Sequence, residues 1–246
     1  NMKSSYIFIA LSALLLSLAT AGIPPIANQD FAEIVTSLSY PCEAHYVTTK
    51  DGYINTFYRI QAKNTQFTAG LQPIYLQHGL LGSSDDFIIN DEELAPGLLI
   101  ANAGYDVWFG NSRGNKYSQA HVNGSINPNS SYWDFSWQDM SLYDLPAGLE
   151  YIYNSTNFKK IHYLGHSQGT IQMFAALCRR DPTVLKYLGQ FHAAGPVAYV
   201  NNQDSVGITL LAKSGLLPFE EWINAKTFGF PTQEQKNLLE NICFYQ

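Results

Sequence analysis

The chain has 246 residues, which is enough for one large α/β domain with a full hydrophobic core or for two small domains. Its net charge is -6 and its 14 lysine and arginine residues are scattered, with no run longer than two, so the sequence lacks the basic surface expected of a nucleic-acid-binding protein. The cysteines, Cys42, Cys178 and Cys243, are too few and too far apart for a disulfide framework, and they form no cluster with histidine that would predict a metal site.

The N-terminus has the pattern of a secretory signal peptide. Lys3 precedes an apolar run from Tyr6 to Leu18, and Ala19-Thr20-Ala21 supplies the small residues of an A-x-A cleavage site. The run is shorter than the ~20 residues that span a bilayer, so a signal anchor is only the second interpretation. We therefore predict a signal peptide over residues 1–21.

Sequons of the form N-x-S/T agree with passage through the secretory pathway, and they make three residues candidates for N-glycosylation: Asn123, Asn129 and Asn154. The pattern does not choose between the destinations of that pathway. Secretion, a lysosome and a digestive vacuole are all compatible with it, and the acidic isoelectric point does not separate them.

The first predicted elements after the signal are a short helix and a β-hairpin. Phe31 to Leu38 has amphipathic helical spacing, and Pro41 ends it. His45 to Thr49 and Tyr53 to Ile60 alternate between apolar and polar residues. They flank Asp51-Gly52, which is typical of a tight hairpin turn.

A third strand, Gln72 to Gln77, is predicted to run into the loop His78-Gly79-Leu80-Leu81-Gly82. A glycine-bearing loop that leaves a strand can present backbone N–H groups to an oxyanion. Glu93 to Ala103 has helical character despite Pro96, and Tyr105 to Phe109 supplies a fourth strand.

The next part of the chain is less regular. Lys116 to Trp133 is rich in Asn and Ser and has no clear period, which predicts a surface excursion. Ser136 to Tyr153 returns to helical spacing, and Pro146 is expected to bend or divide this helix.

The most informative functional pattern lies between Ile161 and Arg180. An apolar run that can form a buried fifth strand leads into Gly165-His166-Ser167-Gln168-Gly169, which matches G-x-S-x-G, and a helical pattern follows as far as Asp181-Pro182. Such a turn between a strand and a helix, called the elbow, holds the serine in a strained conformation with its hydroxyl above the sheet. The serine then lies next to the N-terminus of the following elbow helix, which favours negative charge. Ser167 is therefore a candidate nucleophile. The alternative is a serine in an ordinary loop.

Gln190 to Val200 is apolar and is broken by Gly195-Pro196, which predicts a sixth strand and its exit turn. Strands that alternate with helices imply a mostly parallel sheet covered on both faces. Beyond this point the sequence has scattered helical pieces and no convincing strand. We therefore predict a core domain over residues 22–200 and the beginning of an inserted cap over residues 201–246.

Several motifs, in this order between residues 30 and 200, resemble those of the acid lipase family, the group of gastric lipase, lysosomal acid lipase and related sterol esterases. They are Pro41-Cys42-Glu43 with Thr48-Thr49-Lys50-Asp51-Gly52-Tyr53-Ile54, His78-Gly79-Leu80-Leu81, Gly104-Tyr105-Asp106-Val107-Trp108 with Gly110-Asn111-Ser112-Arg113-Gly114, Tyr143-Asp144-Leu145-Pro146-Ala147, and Gly165-His166-Ser167-Gln168-Gly169.

The resemblance implies an α/β-hydrolase fold, here incomplete, with a mostly parallel sheet, helices on both faces and the start of an inserted helical cap. It also implies that Ser167 is the nucleophile. By the same resemblance, the backbone N–H groups of Leu80 and Gln168 are the oxyanion donors. The acyl transfer that such a site performs needs no cofactor.

The other two members of the expected triad are not found. In this fold an acidic residue and then a histidine follow the nucleophile on loops after later strands. His192 is the only histidine after Ser167, and its position inside the predicted sixth strand favours a packed core histidine. Asp181 ends the elbow helix and Asp204 opens the predicted cap. We therefore expect the chain to be truncated within the cap, without its catalytic Asp and His, and close to inactive as given.

The predicted function is hydrolysis of lipid carboxylic esters, either triacylglycerols or sterol esters, at a lipid–water interface. One alternative is a non-catalytic lipid-binding or vestigial protein that keeps the elbow and an apolar pocket. Another is a different α/β-hydrolase acting on small esters or peptides. The sequence leaves the oligomeric state and the acyl-chain specificity open.

Overall fold

The computed structural model describes residues 29–124 and 131–199. The predicted signal peptide, the predicted cap and Asn129 lie outside these residues. In chain order the elements are α1 (Phe31–Ser37), β1 (Cys42–Thr48), β2 (Tyr53–Ile60), β3 (Pro73–Gln77), a 3-10 turn (Ser84–Phe87), α2 (Pro96–Asn102), β4 (Asp106–Gly110), β5 (Ala120–His121), a second 3-10 turn (Ser131–Trp133), α3 (Trp137–Asp139), a π-helical segment (Met140–Asp144), α4 (Leu145–Thr156), β6 (Ile161–His166), α5 (Gln168–Cys178), α6 (Pro182–Tyr187) and β7 (Leu188–Ala194).

The strands form one mixed sheet in the order β1-β2-β4-β3-β6-β7, with the short β5 beside β2. The neighbouring strands β4, β3, β6 and β7 are parallel, whereas β1, β2 and β5 pair antiparallel. The α/β-hydrolase fold predicted from the sequence is confirmed. Because parallel strands end at the same edge of a sheet, the loops that follow β3, β4 and β6 meet there.

Side chains of successive strand residues point to opposite sides of the sheet, so both faces carry apolar side chains, and helices cover both faces. Leu76 and Phe109 are fully buried in a cluster with α1 and α2, while their neighbours Tyr75 and Trp108 are buried in a second cluster with α4, α5 and α6. Each such large side chain contributes roughly 1.5–3 kcal/mol by leaving water. The two clusters keep the site-bearing ends of the strands in place.

The predicted helix from Ser136 to Tyr153 is divided, but the division lies before Pro146. Ser136 caps α3 in a capping box with Asp139, and a π-helical segment then connects α3 to α4. Pro146 sits in the first turn of α4, where its missing N–H leaves no helical hydrogen bond unmade. The π-helical segment places Asp144 in the interior, with 5% of its side chain exposed.

Two helix boundaries differ from those predicted. α2 begins at Pro96 rather than Glu93, because proline is favoured in the first turn of a helix. The elbow helix ends at Cys178, and Asp181 does not end it but caps a separate helix, α6, by accepting the N–H groups of Thr183 and Val184 at 3.0 Å. β7 follows α6 at once and begins at Leu188.

Candidate active site

Ser167 connects β6 to α5 in a strained turn. Its φ of 50° and ψ of -111° lie outside the regions that non-glycine residues favour, at a cost of about 1–3 kcal/mol. A Cβ atom added to Gly165 would lie 2.7 Å from the carbonyl carbon of Gly169, and one added to Gly169 would lie 2.6 Å from the carbonyl oxygen of Gln77. β6 and β3 can therefore lie this close to the start of α5 only because residues 165 and 169 are glycines.

Hydrogen bonds fix the backbone of Ser167 on both sides. Its N–H donates to the carbonyl oxygen of Ala194 at 3.0 Å. Its carbonyl oxygen accepts the N–H of Thr170 at 2.9 Å and the hydroxyl of Thr170 at 2.6 Å. Gln168 is the first residue of α5, so its N–H is among the N-terminal donors that have no partner within the helix.

The loop that follows β3 lies directly beside the nucleophile. A Cβ atom added to Gly79 would be 3.2 Å from the Cβ of Ser167 and 3.1 Å from Nδ1 of His166. The next two residues, Leu80 and Leu81, are 68% and 71% exposed. The loop that contains Leu80 and the turn that contains Gln168 are therefore brought together around Ser167.

His78 determines how the Gly79–Leu80 peptide is oriented. The N–H of Ser112 donates to Nε2 of His78 at 3.0 Å, so this nitrogen is an acceptor and the ring hydrogen is assigned to Nδ1. Nδ1 donates to the carbonyl oxygen of Gly79 at 2.8 Å. Because the peptide unit is planar and trans, fixing this carbonyl also fixes the Leu80 N–H, which points the opposite way.

The buried imidazole predicts a pH dependence of stability. Burial lowers the pKa of His78 below its ordinary value, so as the pH falls below about 6.5 the unfolded chain takes up a proton that the folded chain does not. The free energy of unfolding should then decrease by up to about 1.4 kcal/mol per pH unit from this group alone. Urea unfolding between pH 4 and 8 should show a smaller decrease for His78→Gln. If the free energy of unfolding depended on pH equally in the two proteins, the lowered pKa of His78 would be contradicted.

A buried ion network under the loop after β4 was not predicted from the sequence. The Arg113 side chain is 1% exposed, and its guanidinium donates to Asp144 at 2.6 and 2.9 Å and to Asp51 at 2.6 and 3.0 Å. It also lies 3.8 Å from the ring centre of Tyr53. Burial disfavours the charge, but the two carboxylates raise the pKa of Arg113 above its ordinary value. The network connects the hairpin turn, the π-helical segment and the loop that contains Ser112.

The interpretation of His192 as a packed core residue is wrong. His192 lies on β7 as predicted, but its side chain is exposed. The reason is its place in the sheet, since β7 is the outermost described strand on that side. Its ring centre is 6.4 Å from that of His162.

Two of the three candidate glycosylation residues are described, and both are exposed: Asn123 follows β5, and Asn154 lies in the last turn of α4. Over residues 29–124 and 131–199, no group of three or more His, Cys, Asp or Glu side chains is arranged to bind a metal ion. Within the same residues, Cys178 is an exposed free thiol.

Two protein-family models match the chain. The model described as a partial alpha/beta-hydrolase lipase region matches residues 31–91, and the model of the alpha/beta hydrolase fold matches residues 72–188. The Pyrococcus furiosus esterase Pf2001 has a similar fold, with a TM-score of 0.52 at 19% identity over 77% of this chain and 64% of the esterase.

Two lipases are similar in sequence. Gastric triacylglycerol lipase from Rattus norvegicus is 44% identical over 184 residues, which are 74% of this chain and 46% of that protein. Lysosomal acid lipase/cholesteryl ester hydrolase from Homo sapiens is 38% identical over 199 residues, which are 80% of this chain and 48% of that protein. The chain thus spans about half the length of the curated relatives it matches. Together with the order of its motifs, these matches identify the chain as a member of the acid lipase family of α/β-hydrolases.

Proposed function

We propose that the protein hydrolyses carboxylic esters of lipids with Ser167 as its nucleophile. The observation that carries this proposal is the strained backbone of Ser167 beside the glycine-bearing loop that follows β3. The relatives named triacylglycerol lipase and cholesteryl ester hydrolase support lipid esters as the substrate class.

The proposed reaction is acyl transfer. The hydroxyl oxygen of Ser167 attacks the ester carbonyl and gives its proton to a general base, which passes it to the departing alcohol. The backbone N–H groups of Leu80 and Gln168 bind the oxyanion of the tetrahedral intermediate, and water then releases the fatty acid from the acyl-enzyme. Loss of one such donor typically raises the barrier by ~3 kcal/mol, which explains the value of a fixed Gly79–Leu80 peptide.

The general base is proposed to come from outside the described residues. Ser167 makes its described hydrogen bonds through its backbone, to Ala194 and Thr170. A serine hydroxyl without an adjacent base is a weak nucleophile, because little of it is ionised at neutral pH. The expected base is a histidine oriented by a carboxylate, as in other hydrolases with this turn.

The surroundings of the nucleophile suit an apolar substrate. Leu80 and Leu81 present large apolar side chains to solvent next to Ser167. Exposed apolar groups beside a catalytic residue favour contact with a lipid or with a lipid–water interface. Whether triacylglycerols or sterol esters are preferred would be decided by rates on a matched series of both substrates.

The domain boundaries and the compartment are also proposals. A signal peptide over residues 1–21, a core over residues 22–200 and a cap over residues 201–246 are consistent with the family. The similarity to gastric and lysosomal lipases supports secretion or delivery to a lysosome. The exposed Asn123 and Asn154 are accessible for N-glycosylation. In the part of the chain that the structure describes, no helix is both long and apolar enough to cross a membrane.

The proposal is tested by covalent labelling of the full-length protein with a fluorophosphonate probe. We expect labelling of the wild-type protein and of Ser155→Ala, an exposed serine on α4, and no labelling of Ser167→Ala. Labelling that persists in Ser167→Ala would overturn the assignment of the nucleophile. Binding of an apolar ligand without any labelling would favour the non-catalytic lipid-binding alternative.

A further inference from the structure

The hydroxyl of Thr170 joins the nucleophile to the segment that leaves β7. Thr170 is fully buried, three residues after Ser167 in α5. Its hydroxyl donates to the carbonyl oxygen of Ser167 at 2.6 Å and accepts the N–H of Val197 at 2.9 Å. The direction of both bonds is unambiguous, because a carbonyl oxygen can only accept and a backbone N–H can only donate.

We propose that Thr170 is a positioning residue that, through this hydroxyl, makes the reactivity of Ser167 depend on the segment from residue 194 to residue 197. This inference rests on the proposed role of Ser167 as the nucleophile. The hydroxyl of Thr170 does not touch the substrate, but it determines the position of the nucleophile.

The segment contacts both sides of the nucleophile. Ala194 accepts the N–H of Ser167 directly, and Val197 reaches the carbonyl oxygen of Ser167 through Thr170. Since φ and ψ of Ser167 are unfavourable, its conformation persists only because surrounding contacts hold it. The two contacts from the exit of β7 are therefore part of what keeps the turn strained.

A small relaxation of this turn would change the reacting geometry. A Cβ added to Gly79 would lie 3.2 Å from the Cβ of Ser167, so the nucleophile is already in close contact with the loop that follows β3 and contains Leu80. Rotation about the backbone of Ser167 would move its Cβ, and with it the hydroxyl oxygen, relative to the Leu80 N–H. A displacement of about 1 Å in such a site can reduce a rate about a hundredfold.

The test compares Thr170→Val, which keeps the shape but removes the hydroxyl, with Thr170→Ser, which keeps the hydroxyl. The rate of fluorophosphonate labelling and the kcat and KM for a soluble ester are measured on the full-length proteins, well below their unfolding temperatures. We expect Thr170→Val to lower the labelling rate and kcat about tenfold with little change in KM, and Thr170→Ser to stay within about threefold of wild type. Wild-type rates for Thr170→Val, or equal losses in both variants, would overturn the proposal.

A second pair of variants leaves Thr170 intact. Val197→Pro removes the backbone N–H that Thr170 accepts, while Val197→Ala keeps it. We expect only the proline variant to slow labelling, and this pair decides the matter if Thr170→Val does not fold. Equal rates for the two Val197 variants would contradict the coupling. Persistent labelling of Ser167→Ala would instead refute the nucleophile, so the two failures are distinguishable.

Discussion

Gly165→Ala is expected to destabilise the folded protein by about 3 kcal/mol and to slow labelling of Ser167 at least about a hundredfold. The added Cβ would lie 2.7 Å from the carbonyl carbon and oxygen of Gly169 and 2.9 Å from the backbone nitrogen of Thr170. Backbone atoms cannot rotate away as the end of a side chain can, so β6 and α5 would have to separate. The turn that strains Ser167 would open as a result.

Gly189→Ala is the matched control. Its added Cβ would lie 2.9 Å from Nδ1 of His162 and 3.3 Å from the nearest backbone atom. The position is exposed, so the His162 ring can rotate away and water can replace the hydrogen bond that Nδ1 accepts from the N–H of Gln190 at 3.1 Å. We expect this variant to lose less than about 1 kcal/mol and to be labelled at the wild-type rate. Urea unfolding and labelling kinetics provide the comparison. If Gly165→Ala behaved like Gly189→Ala, the close approach of β6 to α5 would not be what shapes the nucleophile.

The elbow is predictable from sequence because local sterics determine it. Gly165 and Gly169 are required wherever a strand turns this sharply into a helix, and the apolar runs on either side show that a strand and a helix are present. The loop from His78 is predictable for a similar reason, since it follows a short buried strand. These patterns extend over about five residues and need no information about distant parts of the chain.

The features that the sequence does not reveal depend on distant partners. Proline at position 146 predicts a break in the helix, but the π-helical form of the preceding segment accompanies the burial of Asp144 against Arg113, which lies 31 residues earlier. The role of Thr170 depends on Val197, which is 27 residues away. The exposure of His192 depends on which strands flank β7. No local periodicity encodes any of these contacts.

The Arg113 network is connected to the proposed oxyanion donor through Ser112 and His78. Ser112, the neighbour of Arg113, donates to the imidazole of His78, which in turn orients the Gly79–Leu80 peptide. Movement of Arg113 would therefore be transmitted to the proposed oxyanion donor through two hydrogen bonds. This connection gives the Gly110–Gly114 motif a physical role, although none of its side chains is proposed to touch the substrate.

Arg113→Met is expected to destabilise the protein by about 3–5 kcal/mol, because it leaves the buried carboxylate of Asp144 without its partner. The loss is a large part of the roughly 5–15 kcal/mol that stabilises a typical domain. It should be visible as a lower urea midpoint with an unchanged m-value. Arg113→Met/Asp144→Leu should be more stable than the single variant, since it removes the unpaired charge as well.

Lys63→Met provides the control for an ion pair at the surface. Lys63 lies 2.8 Å from Glu92, but their side chains are 35% and 29% exposed, so water compensates for the loss of either charge. We expect the urea midpoint of this variant to stay close to that of the wild type. If Arg113→Met lost no more than Lys63→Met, the carboxylate of Asp144 would have to find water or another donor after the substitution. The position of Arg113 and of the loop after β4 would then depend on packing around Tyr53 rather than on charge.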